Sequence, residues 1–246
     1  MEANFDSEKT PYVNGPAAHA LGERPSGKAK DSATIILHGG GGESGNQGFR
    51  TMRVISGKYR GRSLRALRGS AVRPTSDRLR ETLFNVLTAG NPAALENTVW
   101  LDWFAGTGAV GIEALSRGAK QVCFVESSAA AAKLIEQNLR GLEIAEGYRI
   151  LRDDLSGIVW KLQREHFVAD VVFLDPPYAM RNSYEETLTA LANSTLIWAM
   201  SLVVAEHDKK FDPGNAFGPL MRIRTLTQGN AALSFYKIGG QLDLNR

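Results

Sequence analysis

The chain is nearly free of cysteine and has no long hydrophobic run. Cys123 is the single cysteine among 246 residues, which excludes an internal disulfide and a cysteine-rich metal cluster. It lies in the apolar run 122–125, where a lone cysteine is typical of a small core residue. No apolar stretch approaches the length of a membrane-spanning helix, and no signal-peptide pattern opens the chain. We therefore expect a cytoplasmic protein without a bound metal.

Acidic residues are scarce in one segment of an otherwise ordinary composition. The chain is 43% hydrophobic and 22% charged, and its formal net charge is only +3. Between residues 52 and 80, however, Asp77 is the single acid among many basic residues. The basic residues are Arg53, Lys58, Arg60, Arg62, Arg65, Arg68, Arg73, Arg78 and Arg80. A solvated basic face would leave this clustering unexplained, so the segment favours a polyanionic partner such as nucleic acid.

Residues 1–51 differ from the rest of the chain. They are rich in Gly, Ala, Ser and Pro, and the run 35–37 is their one compact aliphatic cluster. We expect a disordered tail, or translation from a start upstream of the native one, since a well-patterned domain opens at Met52. Gly22 to Lys28 matches a phosphate loop in part, but Ala29 replaces the required Ser or Thr and no strand precedes it.

Hydrophobic periodicity predicts an α/β fold from residue 52 onward. A small basic β-hairpin is expected around 57–60, and a helix over 76–87 with Thr75 or Ser76 as its cap. Strands are expected at 99–104, 121–126, 148–152, 171–174 and 202–206, and helices at 109–117, 129–139, 155–166 and 184–192. A hairpin of 221–227 and 232–238 would add an antiparallel edge. The pattern predicts a mostly parallel seven-stranded sheet, with 52–90 as an extension of a 91–246 domain.

Asp175-Pro176-Pro177-Tyr178 is the most informative motif, because it directly follows the apolar strand 171–174. Ligands of open α/β sheets bind at the carboxyl ends of the strands. Proline lacks a backbone N–H, so the segment offers acceptors suited to a planar amine, and a tyrosine ring can stack on the attached base. Asp-Pro-Pro is also an ordinary turn, so the motif alone leaves the function open.

Three further features fall on the same predicted edge. Gly106 and Gly108 follow the first strand and permit a tight turn close to a ligand, although with Gly111 they also match the dinucleotide fingerprint. Glu126 ends the second strand, where an acid can bind ribose hydroxyls or simply be solvated. Asp153 and Asp154 end the third strand, beside the expected adenine, or cap the following helix. The coincidence of these features favours a nucleotide-like cofactor.

From residue 52 to 238 the chain resembles the Rossmann-like class I S-adenosylmethionine-dependent methyltransferases. More closely, it is similar to the RsmD family of bacterial 16S ribosomal RNA guanine-N2 methyltransferases. The resemblance is carried by the Arg-Gly-Arg of 60–62, the Arg-Pro-Thr-Ser-Asp-Arg of 73–78, the Arg-Glu-Thr-Leu-Phe-Asn of 80–85, the Phe-Ala-Gly-Thr-Gly of 104–108, and the Asp-Pro-Pro-Tyr motif. The glycine motif is typical of the whole superfamily, whereas the Arg-Pro-Thr segment is specific.

The resemblance implies a role for each matching residue. The cofactor, S-adenosylmethionine, would be bound by Arg73, Thr75, Arg78, Asp102, Phe104, Gly106, Gly108, Glu126 and Asp154. In that set Glu126 would hold the ribose, Asp154 would lie at the adenine amine, and the first three would close over the cofactor. The target guanine would be held by Asp175, Pro176, Pro177 and Tyr178, and the RNA by Arg60, Arg62 and Arg65. The partner would be 16S rRNA, within the small subunit or an assembly intermediate, and the enzyme a monomer.

Three alternatives remain open on the residues alone. An N6-adenine DNA methyltransferase shares the Asp-Pro-Pro-Tyr motif, but the residues after it are about enough to finish the sheet, without a target-recognition region. An NAD(P)-dependent oxidoreductase would explain the glycines and neither the basic hairpin nor the motif. If the protein only bound RNA without catalysis, the intact set of active-site motifs would have no explanation.

Overall fold

The basic N-terminal segment forms a hairpin, as the sequence predicts. The computed structural model describes residues 52–66, 76–177 and 179–239. Strand β1 (Met52–Arg53) pairs antiparallel with β2 (Ser63–Leu64), and each strand is only two residues long. Met52, Val54 and Leu64 are buried in the main hydrophobic core, whereas the tip of the hairpin is exposed. The expectations for residues 1–51 lie outside the described residues.

Helix α1 (Asp77–Leu87) follows the hairpin and begins at the predicted cap. The Ser76 side chain accepts a hydrogen bond from the Leu79 N–H, which satisfies one of the free donors of the first turn. Leu79, Leu83 and Phe84 form the buried face of α1, and the Phe84 ring stacks on Trp100. The extension and the following domain thus share one core.

Five apolar runs form the parallel part of the main sheet. They are β3 (Val99–Trp103), β4 (Gln121–Val125), β5 (Tyr148–Leu151), β6 (Val171–Leu174) and β7 (Leu202–Asp208), in the spatial order β5-β4-β3-β6-β7. The hydrophobicity of β3, β4, β6 and β7 reflects burial on both faces of the sheet, whereas the edge strand β5 is mostly half-buried. The direction of the strand order reverses between β3 and β6, which is where ligands of such sheets bind.

Helices cover both faces of this sheet. They are α2 (Ala109–Ser116), α3 (Ala129–Gly141), α4 (Leu155–Arg164) and α5 (Asn182–Ala192). Apolar residues of α1, α2 and α3 pack with Phe124 and Phe173 on one face, and those of α4 and α5 pack with Val172 and Leu174 on the other. In the described ranges no helix has the length and apolar character needed to cross a bilayer.

The C-terminal segment closes the sheet with antiparallel strands. They are β8 (Ala216–Phe217), β9 (Leu220–Gln228) and β10 (Ala231–Ile238), and β10 pairs with both β7 and β9. The predicted α/β class and antiparallel edge are confirmed, but the prediction of seven strands is wrong, since the sheet has eight strands within the described residues. The additional strand, β8, contributes only two residues before a turn at Gly218, too few to show an alternating pattern.

Candidate active site

Strand alternation brings three of the predicted acids to one face and one edge of the sheet. Asp102 lies near the end of β3, and Glu126 and Asp175 directly follow β4 and β6. Side chains two residues apart in a strand point to the same face. By that spacing the three acids share the face of Trp100, Phe124 and Phe173, which α1, α2 and α3 cover. The sequence predicted that these acids lie at one edge of the sheet, and the structure adds that they lie on the same face.

The glycine-containing turn between β3 and α2 adopts left-handed backbone geometry. Phe104 has φ +64°, Gly106 +55° and Gly108 +75°. Such values are unusual for a residue with a side chain, and strain of this kind concentrates at functional sites. Gly111 has a different role, because a Cβ there would lie 2.3 Å from Cε1 of Phe124, so it lets α2 pack closely on β4.

Glu126 holds the glycine turn against the end of β4. Its Oε2 accepts a hydrogen bond from the Gly106 N–H at 2.8 Å, and its Oε1 accepts one from the Ser128 N–H at 2.8 Å. The side chain is half-buried, and each carboxylate oxygen has a second lone pair available. A carboxylate fixed in this way is suited to accept ribose hydroxyl groups, and that role stays a prediction.

Asp102 is a buried carboxyl at the base of the turn. It is 2% exposed, and its Oδ2 accepts a hydrogen bond from the Gly111 N–H at 2.9 Å. Burial raises the pKa of the Asp102 carboxyl to about 7, although the Gly111 hydrogen bond lowers it and the charge of Glu126 raises it further. The group thus links β3 to the first turn of α2 while remaining partly protonated near neutral pH.

The acidic pair after β5 acts as a helix cap. The Asp154 side chain accepts a hydrogen bond from the Gly157 N–H at 2.7 Å, and the Asp154 N–H donates to Asp153 Oδ1 at 2.9 Å. The capping alternative from the sequence is therefore confirmed for Asp154. Its side chain is exposed at the binding edge, so the assignment to the adenine amine stays a prediction.

The Asp175-Pro176-Pro177 turn leaves β6 at the switch point of the sheet. The Asp175 N–H donates to the Trp103 carbonyl at 3.2 Å, and the Met180 N–H donates to the Pro177 carbonyl at 2.7 Å. Pro176 is buried and Asp175 half-buried, which fixes the turn against β3. The Tyr178 prediction lies outside the described residues, as do those for Arg73 and Thr75.

Arg78 lies on the other half of the binding edge from the glycine turn. Its side chain contacts Gln228 at the end of β9, whose carboxamide oxygen accepts from Arg78 Nε at 3.1 Å when the amide is oriented to satisfy both groups. Thr82 contacts the same amide. The structure therefore places Arg78 beside the C-terminal hairpin, and its predicted contact with the cofactor stays a prediction.

The predicted RNA-binding arginines are exposed on the hairpin and the residues after it. Arg62 donates to the Gly141 carbonyl at 2.7 Å, and Arg65 donates to Gln137 Oε1 at 3.4 Å, so both lie along α3. Arg60 is exposed at the turn. Within the basic surface formed by these three arginines, Arg65 is linked to the glycine turn through Asn138, whereas the turn that carries Arg60 packs on the Ser116 carbonyl at the end of α2. Their contact with RNA stays a prediction.

Glu113, a residue that the sequence reasoning did not identify, anchors this hairpin. It is fully buried in α2 and accepts hydrogen bonds from the Ile55 and Ser56 N–H groups at 2.7 and 2.9 Å. Arg117 Nε lies 2.8 Å from its Oε1. Gly57 allows the hairpin to pack closely on the end of α2, because a Cβ there would lie 1.9 Å from the Ser116 carbonyl oxygen. A glutamate within the apolar stretch of α2 was the one available signal.

Asn138 of α3 connects the basic segment to the glycine turn. It is 3% exposed, and its side-chain oxygen accepts from the Arg65 N–H at 2.8 Å. Its amide nitrogen donates to the Arg65 carbonyl at 3.2 Å and to the Thr107 carbonyl at 2.9 Å. The backbone at Arg65 and the candidate cofactor turn are therefore connected through the Asn138 side chain.

Comparison with known proteins identifies the family. The model of a family described as conserved hypothetical protein 95 matches residues 52–237. The putative rRNA methyltransferase YlbH of Bacillus subtilis is 33% identical over 189 residues, which are 77% of this chain and 100% of that protein. The chain belongs to this family.

Two further similarities agree with that assignment. The ribosomal RNA small subunit methyltransferase D of Haemophilus influenzae is 36% identical over 160 residues, 64% of this chain and 79% of the relative. The solved structure of the putative methyltransferase yhhF from Escherichia coli superposes with a TM-score of 0.64 at 30% identity and covers 78% of this chain and 99% of that one. The predicted family and the methyltransferase fold are confirmed.

Proposed function

We propose that the protein transfers a methyl group from S-adenosylmethionine to the exocyclic N2 amine of a guanine in 16S rRNA. The observation that carries the proposal is the Asp175-Pro176-Pro177 turn at the switch point, on the same face and edge as Glu126 and the glycine turn. The names of the relatives, rRNA methyltransferase and small subunit methyltransferase, support the class of reaction and of RNA. The basic hairpin supports a polyanionic substrate.

The residues of the turn suit S-adenosylmethionine. Gly106 and Gly108 have no side chains between their backbone and a ligand, and Glu126 offers free lone pairs for two hydroxyl groups. The N-terminus of α2 adds the favourable end of a helix dipole near a carboxylate. When bound, this cofactor supplies an electrophilic methyl group on a sulfonium.

Asp175 and Pro176 would act on the target amine. Its lone pair is delocalised into the guanine ring, which makes it a poor nucleophile. The Asp175 carboxylate and the Pro176 carbonyl would accept hydrogen bonds from the two N–H groups of the amine. The lone pair of the amine nitrogen would then be free to face the methyl group of the cofactor. When the nitrogen takes up the methyl group and the carbon–sulfur bond of the cofactor breaks, the proton lost from nitrogen would pass to Asp175 or to water. Positioning of this kind can contribute about 7–11 kcal/mol.

The C-terminal elements favour RNA methylation over the N6-adenine DNA alternative. In the described part, the residues that follow the Asp-Pro-Pro turn form α5 and strands β7 to β10, all of which complete the sheet and its cover. A separate target-recognition region is not among these elements. The hairpin at 52–64, anchored by Glu113, is the feature that remains to contact nucleic acid. An rRNA substrate would place the enzyme in the cytoplasm, acting as a monomer on the small subunit or an assembly intermediate.

The test is methyl transfer from tritiated S-adenosylmethionine to small-subunit rRNA from a strain that lacks the gene. Naked 16S rRNA and isolated small subunits are assayed separately. We expect tritium in 16S rRNA and, after nuclease digestion and mass spectrometry, N2-methylguanosine. Label in adenine, or reduction of a nicotinamide cofactor instead of methyl transfer, would contradict the proposal.

A further inference from the structure

Glu206 is a buried acid beside the Asp-Pro-Pro turn to which the proposed mechanism assigns no role. It lies near the end of β7 and is 4% exposed. Strands β6 and β7 are parallel neighbours, and their last registered pair is Leu174 with Ala205. The residues just beyond this pair are Asp175, which directly follows β6, and Glu206 of β7, and adjacent strands lie about 4.8 Å apart. We infer from this spacing that the two acids lie near one another at this edge of the sheet.

Alternation places Glu206 on the same face as Asp175. Ala205 belongs to the core on the α4 and α5 side, whereas Val204 belongs to the core on the α1, α2 and α3 side, so Glu206 follows Val204. Glu126 and the glycine turn lie across β3 and β4, on the opposite side of Asp175 from β7. Glu206 therefore lies on the half of the edge left for the substrate.

The backbone at Glu206 is held on both sides. The Tyr184 hydroxyl donates to the Glu206 carbonyl at 2.7 Å, which ties β7 to α5. On the other side, Glu206 is registered with Leu233 of β10. A side chain that starts from a backbone fixed in this way can contribute to the choice between similar substrates, because its position does not adapt easily to a mismatched base.

We propose, on the basis of the proposed function, that the Glu206 carboxylate accepts the N1–H of the target guanine and so selects guanine over other 2-aminopurines. Guanine presents N1–H and the N2 amine side by side, both as donors. Asp175 and Pro176 occupy the amine, so a second acceptor from the neighbouring strand meets N1–H. A 2-aminopurine that lacks this hydrogen turns a lone pair toward the carboxylate, and a buried carboxylate facing a lone pair is strongly unfavourable.

The experiment compares guanine with 2,6-diaminopurine at the methylated position of the RNA. Both bases carry the reactive 2-amine, but N1 of diaminopurine is an acceptor. The RNA is whichever form, naked or assembled, the wild-type protein methylates. For the wild type we expect kcat/KM to be about 10- to 100-fold higher for guanine. In Glu206→Gln the amide can accept from N1–H or donate to the bare nitrogen, so we expect the preference to fall to within about threefold.

The change at the 6-position is the same in both proteins, so the comparison of preferences isolates the contact at N1. Glu186→Gln, an exposed acid of α5, is the matched control and should keep the wild-type preference. Calorimetric titration of S-adenosylmethionine into Glu206→Gln should give a Kd within twofold of wild type, since the residue lies away from the cofactor half. A merely structural role would weaken both substrates equally and leave the preference intact.

The outcomes separate this inference from the proposed function. If the wild type methylates guanine and diaminopurine equally well, Glu206 selects nothing and the inference is overturned without any variant, while guanine methylation stands. An unchanged preference in Glu206→Gln overturns it as well. No methyl transfer to the guanine RNA by the wild type would overturn the proposed function and the inference together.

Discussion

Removal of the Glu113 carboxylate should release the basic hairpin from the methyltransferase fold. The side chain is fully buried. It accepts hydrogen bonds from two backbone N–H groups of the hairpin and forms an ion pair with Arg117. Truncation of one partner of a buried ion pair typically costs about 3–5 kcal/mol. The two N–H groups are only partly buried and can recover some hydration, so we expect the lower end, about 3 kcal/mol, for Glu113→Ala.

That loss translates into a measurable melting shift. For a chain of this size, 1 kcal/mol corresponds to about 2–4 °C, so Glu113→Ala should melt about 6–12 °C below wild type. Glu113→Gln keeps one acceptor oxygen, so its melting temperature should lie between those of Glu113→Ala and wild type. The exposed helix residue Glu136 provides the control, because Glu136→Ala should melt within about 2 °C of wild type.

The assay pairs calorimetric melting with RNA binding. Since Glu113 fixes the hairpin, we expect Glu113→Ala to bind rRNA more weakly while its affinity for S-adenosylmethionine stays within a few-fold. A variant that melts within 2 °C of wild type and binds RNA normally would refute the reasoning, because the hairpin would then be held by other contacts.

Three further predictions concern the site and the basic surface. Glu126→Ala should weaken cofactor binding by about 1–3 kcal/mol in calorimetry, through lost hydrogen bonds to the ribose, and unchanged affinity would return Glu126 to a support of the turn. The raised pKa of Asp102 means that the folded state holds a proton that the unfolded state releases between about pH 4 and 7, so wild-type stability falls as pH rises through that window. Asp102→Asn should remove this contribution, and its stability relative to wild type should rise from pH 4.5 to 7.5; a pH-independent difference would contradict the assigned pKa. Neutralising Arg60, Arg62 and Arg65 together should lower RNA affinity and reduce the log–log salt slope by about 0.7–0.9 per lost phosphate contact, with cofactor binding unchanged, and equal slopes for both proteins would mean that they touch no phosphate.

Much of the fold could be predicted because its signals are local. Strands β3, β4, β6 and β7 are short apolar runs, and the helices between them show the 3.6-residue period, so element type and order follow from the pattern alone. The Ser76 cap was predicted for the same reason, since a cap and its partner lie three residues apart. The two-residue strand β8 carries no such pattern and was missed.

The contacts that assemble the candidate site are long-range and could not be predicted. Glu113 is 57 and 58 residues away in sequence from the two hairpin residues whose N–H groups donate to it. Asn138 and its hydrogen-bond partner Arg65 are 73 residues apart. A buried polar residue on a helix indicates that some partner exists, but its identity depends on how elements pack. Glu206 was missed for a related reason, because its proximity to Asp175 depends on the order of strands in the sheet.

Mass mapping of 16S rRNA tests the central claim most directly. RNA is prepared from a strain that lacks the gene, from the strain restored with the wild-type gene, and from one restored with Asp175→Ala. The account predicts one guanine that carries an N2-methyl group only with the wild-type gene, and an Asp175→Ala protein that still binds S-adenosylmethionine within a few-fold of wild type. Full methylation by Asp175→Ala, or 16S rRNA with the same modifications in all three strains, would contradict it.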